Sequence, residues 1–242
     1  MDAVLFVHGL IGHMRVKAVE STFGDRALAP NLLGYGEHAR YEGEISLPAQ
    51  VEYLRRLLDE KAIASAHIAG HSVGGAIAML FARQYPQRVR SVISIEGNFT
   101  LKDAFWSSTF AAATPLEAQA ALQADRADPA GWLQRSGVTP TPERIAEAQS
   151  HLDNQPASTM QAMARSVVQI TANPQYLDDV MTVLNNGTRV HLLAGERSRE
   201  AWDVPAFVLD NAEMTVLPNT GHLLTIESPD AFARACSNLV QR

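Results

Sequence analysis

Residues 67–78 read His67-Ile68-Ala69-Gly70-His71-Ser72-Val73-Gly74-Gly75-Ala76-Ile77-Ala78. The apolar run before Gly70 predicts a buried strand, and the small residues after Ser72 predict a helix packed closely on a sheet. Between them stands Gly-x-Ser-x-Gly, which in this context is typical of a sharp turn with a nucleophilic serine at its tip. Side chains at positions 70 and 74 would collide across such a turn. The stretch predicts Ser72 as a nucleophile, the alternative being an inert serine in a tight turn.

The same alternation of short apolar runs and longer helical patterns continues along the chain. Strands are predicted at Val4–Val7, Ala27–Ala29, Ala66–Ala69, Val89–Ile95, Arg189–Leu193 and Glu213–Leu217. Ser46 is predicted to cap the helix after the second strand, and Ser228 to cap the last helix before Pro229. This order predicts an α/β fold with a mostly parallel, doubly wound sheet that has helices on both faces.

Residues 98–187 interrupt the alternation, because they contain several helical patterns and no predicted strand. We expect a helical insertion, a lid or cap, between two parts of one α/β core at residues 1–97 and 188–242. Its apolar side chains either line a pocket or attach the insertion to the core. The residues expected to bind substrate, together with His71, are Phe105, Trp106, Phe110, Met160 and Met163.

Composition excludes several classes of protein. The 242 residues are 46% hydrophobic and 19% charged, which is the opposite of a disordered chain. The net charge is −6 and the basic residues are scattered, so the sequence predicts no basic surface for binding nucleic acid or an anionic membrane. The single cysteine cannot form an internal disulfide, and no apolar run reaches the length of a membrane span. We expect a cytoplasmic protein, monomeric or homodimeric.

Two further segments lie at the edge of the sheet where Ser72 is predicted. Pro218-Asn219-Thr220-Gly221-His222 follows the last strand, so His222 is predicted as the general base that accepts the Ser72 proton. The turn Val7-His8-Gly9-Leu10 follows the first strand. The backbone N–H groups of Leu10 and Val73 are predicted to stabilise a negatively charged oxygen, as an oxyanion hole does.

An acid that orients His222 is harder to assign. Glu96 follows the strand Val89–Ile95 and is predicted to emerge beside Ser72. Glu200, Asp203 and Glu196 remain alternatives.

Together these motifs resemble the α/β-hydrolase superfamily over nearly the whole chain. The resemblance rests on Val7-His8-Gly9, on residues 30–36, on the Ser72 turn and on Gly221-His222. It implies a lid after the family's sixth strand and a chain that begins near the family's third. Most relatives carry the acid in Gly-x-x-Asp after the seventh strand, where this chain has Ser198. A dehalogenase-like and lactonase-like branch places the acid after the sixth strand, which implies Glu96.

The implied activity is that of a serine hydrolase, a carboxylic ester hydrolase acting through an acyl-enzyme on Ser72. We expect a small, mainly hydrophobic ester, lactone or thioester as substrate. A small-molecule receptor with a hydrolase fold, or a carbon–carbon bond hydrolase or lyase with the same triad, are the alternatives. No cofactor and no metal are expected, because the histidines show no metal-binding spacing and no Gly-rich nucleotide motif follows a strand.

Overall fold

The computed structural model describes residues 2–241, in which six strands form one parallel sheet. The strands are β1 (Ala3–Val7), β2 (Ala27–Leu28), β3 (Ala66–His71), β4 (Val89–Ile95), β5 (Arg189–Gly195) and β6 (Glu213–Leu217). Their order across the sheet is β2-β1-β3-β4-β5-β6, and every neighbouring pair is parallel. The six strands and the parallel α/β fold predicted from the sequence are confirmed, with strand ends within two residues of those expected.

Helices cover both faces of this sheet. The first three are α1 (Lys17–Phe23), α2 (Leu47–Glu60) and α3 (Val73–Gln84). Side chains of β1 alternate between the faces, as the pleat of a strand requires. Val4 and Phe6 pack in the core beneath α1, whereas Leu5 and Val7 pack beneath α2 and α3. The sheet is therefore buried on both faces, which agrees with its apolar strands.

Six helices and no strand lie between β4 and β5 in the described chain. They are α4 (Phe105–Ala112), α5 (Pro115–Ala127), α6 (Pro129–Arg135), α7 (Pro142–Asp153), α8 (Ala157–Thr171) and α9 (Pro174–Asn185). The last of them, α9, packs against α3, and Asp179 forms an ion pair with Arg83 there. This helix thus packs beside α3, and the assignment of residues 98–187 to a lid stays a prediction. Within residues 2–241, no helix is long and apolar enough to cross a membrane.

Three helices complete the chain, and the two predicted caps differ in outcome. They are α10 (Ala206–Leu209), α11 (Leu224–Glu227) and α12 (Pro229–Leu239). Ser46 caps α2 as predicted, its Oγ accepting the Ala49 N–H at 3.2 Å. Ser228 stands at the N-cap position of α12 before Pro229, as predicted, but its side chain makes no capping hydrogen bond. Ser228 directly follows α11 and donates its N–H to Leu224, which fixes it as the end of that helix.

Close backbone contact surrounds the turn from β3 to α3. A Cβ atom at Gly74 would lie 2.2 Å from the carbonyl oxygen of Val7, and one at Gly70 would lie 2.2 Å from the carbonyl oxygen of Gly74. Neither obstacle is a flexible side chain, so the strands or the helix would have to shift. These glycines let α3 begin directly against the ends of β1 and β3.

The buried imidazole of His8 holds the end of β1 in place. Its Nδ1–H donates to the carbonyl oxygen of Gly9 at 2.9 Å, and its Nε2 accepts the N–H of Leu32 at 3.1 Å. Burial lowers the pKa of His8 from 6.5 to about 3. The ring is therefore neutral at neutral pH, in the one tautomer that fits both hydrogen bonds.

We expect Gly74→Ala to lower the free energy of unfolding by about 3 kcal/mol, the upper end of the cost of overpacking. Gly187→Ala is the matched control, because nothing lies within 4 Å of its added methyl and only its φ of +79° opposes the change. That strain costs about 1–2 kcal/mol. Urea denaturation measures both values. Equal losses in the two variants would contradict the steric role of Gly74.

His8→Gln should make the free energy of unfolding depend less on pH below pH 7. The unfolded chain binds a proton at His8 near pH 6.5 and the folded chain only near pH 3, so wild-type stability falls as the pH drops through this window. Glutamine cannot titrate, although it can still accept the Leu32 N–H. We expect a smaller drop in the free energy of unfolding from pH 7 to pH 4 in this variant. A wild-type slope in His8→Gln would refute the assignment.

Candidate active site

Ser72 has a strained backbone that three hydrogen bonds hold in place. Its φ is +53° and its ψ −121°, an unusual conformation for a residue with a side chain. The Ser72 N–H donates to Ile95 at 2.9 Å, while its carbonyl oxygen accepts the N–H groups of Gly75 at 2.8 Å and Asn98 at 3.2 Å. The residues at and after the ends of β3 and β4 therefore fix this turn, as a strained backbone conformation requires.

A cavity of about 470 Å³ opens beside Ser72 at the carboxyl edge of the sheet. Ser72, His71, Glu96 and His222 line it on the side of the sheet. Aromatic side chains line much of the rest, namely Phe105, Trp106, Trp132 and Trp202. The lining is thus mostly apolar, with polar side chains around Ser72 and with Lys102, Asp103 and Arg135 elsewhere in the lining.

Glu96 contacts His222 directly. Its Oε2 lies 2.7 Å from His222 Nδ1, and its Oε1 accepts the Gly195 N–H at 2.7 Å and the Ser198 hydroxyl at 2.5 Å. Burial alone would raise the pKa of this carboxyl, which is only 4% exposed. The hydrogen bonds from His222, Ser198 and Gly195 outweigh burial, so the pKa of Glu96 is lowered. The carboxylate is therefore charged at neutral pH.

The other acids considered lie elsewhere. Glu200 is exposed in a short 3-10 turn. Asp203 accepts the Thr100 hydroxyl at 2.6 Å, and Glu196 accepts the Asn219 N–H at 2.8 Å. Glu96 has a φ of +42°, which turns it out of β4 as the strand ends. The structure thus places Glu96 in contact with His222, whereas Glu200, Asp203 and Glu196 do not contact it.

Ser72 and His222 line the same cavity without a mutual hydrogen bond: throughout residues 2–241, no hydrogen bond involving Ser72 Oγ is observed. Catalytic hydrogen bonds are often long before substrate binds, so this spacing is compatible with a serine–histidine pair. The side chain of His222 is 45% exposed and lines the cavity beside Ser72.

His71 lies against His222. Their ring centroids are 4.7 Å apart, and His71 Nε2 donates to the His222 carbonyl oxygen at 2.9 Å. Burial, followed by the proximity of His222, lowers the pKa of His71 to about 3. A neutral His71 adds no charge beside His222 and holds its backbone.

The loop that carries His222 is also braced by Glu227 in α11. The Glu227 Oε1 accepts the Gly221 N–H at 2.7 Å, and its Oε2 pairs with Arg197. Arg197 also donates to the Gly137 carbonyl oxygen at 3.1 Å, and Arg144 of α7 donates to the Glu227 carbonyl oxygen at 2.8 Å. The His222 loop is therefore joined to the insertion near α6 and α7.

The predicted oxyanion donors lie on two sides of Ser72. A Cβ at Gly9 would lie 3.1 Å from the Cβ of Ser72, so the turn before Leu10 approaches the serine closely. Tyr35 donates its hydroxyl to the Leu10 carbonyl oxygen at 2.9 Å, which fixes that peptide. Val73 is the first residue of α3, where backbone N–H groups have no partner within the helix. The oxyanion role of both residues stays a prediction.

The structure separates the predicted substrate-binding residues into two groups. His71, Phe105 and Trp106 line the cavity. The residues that do not line it are Phe110, Met160 and Met163, each buried in the hydrophobic core. They face inward because α4 and α8 pack against each other, and the prediction of substrate binding is corrected for these three.

Two contributors to the site were missed. Trp202 lines the cavity and donates its Nε1–H to the Gly97 carbonyl oxygen at 2.8 Å. Ser198, in the position where most relatives have the acid, donates to Glu96 instead. The position of Ser198 after β5 can be found in the sequence, but its hydrogen bond to Glu96 depends on the fold. A cluster of His13, Glu147 and His151 lies outside the cavity lining.

Comparisons with known proteins agree with this fold. The profile of the Alpha/beta hydrolase family matches residues 4–235. An uncharacterized protein of Mycobacterium tuberculosis is 34% identical over 104 residues, 42% of this chain and 30% of that protein. Lipase 1 of Psychrobacter immobilis is 31% identical over 111 residues, 44% of this chain and 33% of the lipase. The matches thus span about a third of these relatives' length.

Among solved structures, a thermophilic esterase from Thermogutta terrifontis superposes with a TM-score of 0.72 at 19% identity, covering 100% of this chain and 90% of the esterase. Such a likeness establishes a shared fold. The profile match extends from β1 into α12 and includes the Ser72 turn and the His222 loop. The chain belongs to the Alpha/beta hydrolase family.

Proposed function

We propose that the protein is a serine hydrolase that cleaves carboxylic esters of small, mainly hydrophobic substrates. The observation that carries the proposal is the 2.7 Å contact between Glu96 and His222, in the same cavity as the strained Ser72. A buried, charged carboxylate on Nδ1 leaves Nε2 of His222 as the proton acceptor. The family membership and the relatives described as lipase and esterase support hydrolysis.

In this mechanism Ser72 Oγ attacks the ester carbonyl carbon while His222 Nε2 accepts the serine proton. The carbonyl oxygen becomes an oxyanion, toward which the N–H groups of Leu10 and Val73 would be directed. His222 then donates the proton to the departing alcohol, leaving an acyl group on Ser72. Water, deprotonated by His222, releases the acid and restores Ser72. Glu96 stabilises the imidazolium in both halves of the cycle.

The electrostatics of the site suit a histidine that alternates between charge states. Glu96 stays ionised because its hydrogen bonds lower its pKa. His71 stays neutral because burial lowers its pKa to about 3. A proton moved from Ser72 to His222 therefore meets one nearby negative charge and no positive charge on the adjacent ring.

The cavity favours a modest apolar substrate. Its volume of about 470 Å³ is within the range of small-molecule sites, and its aromatic walls suit an acyl or aryl group. Phe105 and Trp106 are 72% and 45% exposed, so the substrate would meet apolar side chains at the entrance. Lactones and thioesters present the same carbonyl chemistry and remain variants of this proposal.

The cavity of about 470 Å³ also suits one second candidate, a small-molecule receptor that uses the hydrolase fold. Such a protein would hold its ligand in the same cavity and recruit a partner without turnover. Multiple turnover therefore separates the two functions.

Ser72→Ala should remove both covalent labelling by a fluorophosphonate and turnover of p-nitrophenyl esters. Loss of a triad nucleophile lowers kcat by on the order of 10⁶-fold. Ser136→Ala, at another serine of the cavity lining, should retain both activities. In the wild type we expect short and medium acyl chains to be cleaved fastest. Labelling at another residue, or stoichiometric release of product without further turnover, would argue against the hydrolase.

Glu96→Gln should lower kcat by about 10⁴-fold, the scale seen when the orienting acid of such a triad is neutralised. Glutamine keeps the shape of the side chain but loses the charge that stabilises the imidazolium. Glu200→Gln is the matched control and should keep the wild-type rate, because Glu200 is exposed and does not line the cavity. Circular dichroism checks folding. A fast Glu96→Gln enzyme combined with a slow Glu200→Gln enzyme would reverse the assignment.

A further inference from the structure

Three metal-binding side chains meet outside the cavity. His13 belongs to the loop that follows β1, whereas Glu147 and His151 lie one turn apart on α7. One ligand atom from each lies within 4.8 Å of the other two. The rings of His13 and His151 have centroids 4.4 Å apart. Residues far apart in the sequence thus form one His–Glu–His group.

Two of the three ligands already have a suitable separation. His151 Nε2 lies 3.3 Å from Glu147 Oε1. Tetrahedral zinc binds such atoms at about 2.0–2.2 Å, which places neighbouring ligand atoms roughly 3.3–3.5 Å apart. His13 would have to approach by at most about 1.5 Å to complete this geometry, a movement within reach of a side chain.

His13 has the hydrogen bonding of a histidine that binds metal. Its Nε2 lies 2.9 Å from the Ser150 hydroxyl oxygen, while its Nδ1 is buried without a hydrogen-bond partner in the described part of the chain. A metal-binding histidine usually donates its second ring N–H to a fixed oxygen. With Nε2–H directed to Ser150, the lone pair of Nδ1 is available for a cation.

The loop is held in position by contacts that do not require a metal. The Gly12 N–H donates to Gln155 Oε1 at 3.0 Å, and Asn154 Nδ2 donates to the Gly12 carbonyl oxygen at 2.8 Å. Gly12 has a φ of +97°, and a Cβ there would lie 2.2 Å from His151 Nδ1. Only glycine lets the loop lie this close to His151, so the ligands are brought together in advance.

We propose that His13, Glu147 and His151 form a binding site for a divalent transition metal, best suited to Zn²⁺. Two imidazoles and one carboxylate are ligands that zinc prefers, and water can take the fourth position. The Glu147 side chain is 35% exposed, which gives the ion a path from solvent. The bound ion ties the loop after β1 to α7. This site is independent of the proposed ester hydrolysis.

The test is calorimetric titration of ZnCl₂ into the full chain after treatment with a chelator and dialysis. We expect one Zn²⁺ per chain, and a fall in affinity of about 100-fold or more in Glu147→Gln and in His13→Ala. Loss of a ligand should cost at least as much as the 10–100-fold loss from removing its supporting partner. Glu143→Gln, an acid at the start of the same helix, and His38→Gln, a histidine outside the group, should bind like the wild type.

Absence of stoichiometric binding to the wild type, or undiminished binding in Glu147→Gln and His13→Ala, would overturn the proposal. The first result would leave a hydrogen-bonded His–Glu pair with a purely structural role. Glu147→Gln preserves the size of a half-buried side chain, so it decides the matter if His13→Ala does not fold. As a second readout, Zn²⁺ should raise the melting temperature of the wild type and of Glu143→Gln, but not that of Glu147→Gln.

Discussion

The close meeting of β1, β3 and β4 at Ser72 is the constraint on which the rest of the site depends. Parallel strands bring their carboxyl ends to one edge of the sheet, so the turns that follow them pack closely together. Gly70 and Gly74 allow this packing because they have no side chain at the points of contact. The Ser72 N–H bond to Ile95 then fixes the serine against the strand that delivers Glu96. Ser72 and Glu96 are thus positioned by the same contacts.

Burial and hydrogen bonding determine which side chains at this edge of the sheet are charged. His8 and His71 are kept neutral because burial lowers the pKa of each ring to about 3. Glu96 is kept ionised, since the donors that surround it more than offset the cost of burial. One buried negative charge therefore faces the solvent-accessible ring of His222. Ser198 supports that charge although it has none itself.

The sequence was informative where local patterns determine structure. The alternation of apolar runs predicted all six strands, and the Gly-x-Ser-x-Gly turn together with the late Gly-His located Ser72 and His222 at one edge. Glu96 followed from the end of a strand. Helix orientation was beyond such patterns: Met160 and Met163 face the core because of how α8 packs on its neighbours. Likewise, His13 is brought to Glu147 and His151 only by tertiary contacts, so the positions of the three residues along the chain do not predict the proposed metal site.

The side of the cavity that carries the His222 loop is held more firmly than the side formed by α4. Through Arg144 and Arg197, Glu227 joins the histidine loop to α7 and to the residues after α6. Moving that side outward would break charged hydrogen bonds and displace His222 with it. On the opposite side, α4 carries the exposed Phe105 and Trp106. Widening at α4 would leave the contact between Glu96 and His222 intact, so the proposed hydrolase would accommodate a bulky substrate there without displacing His222.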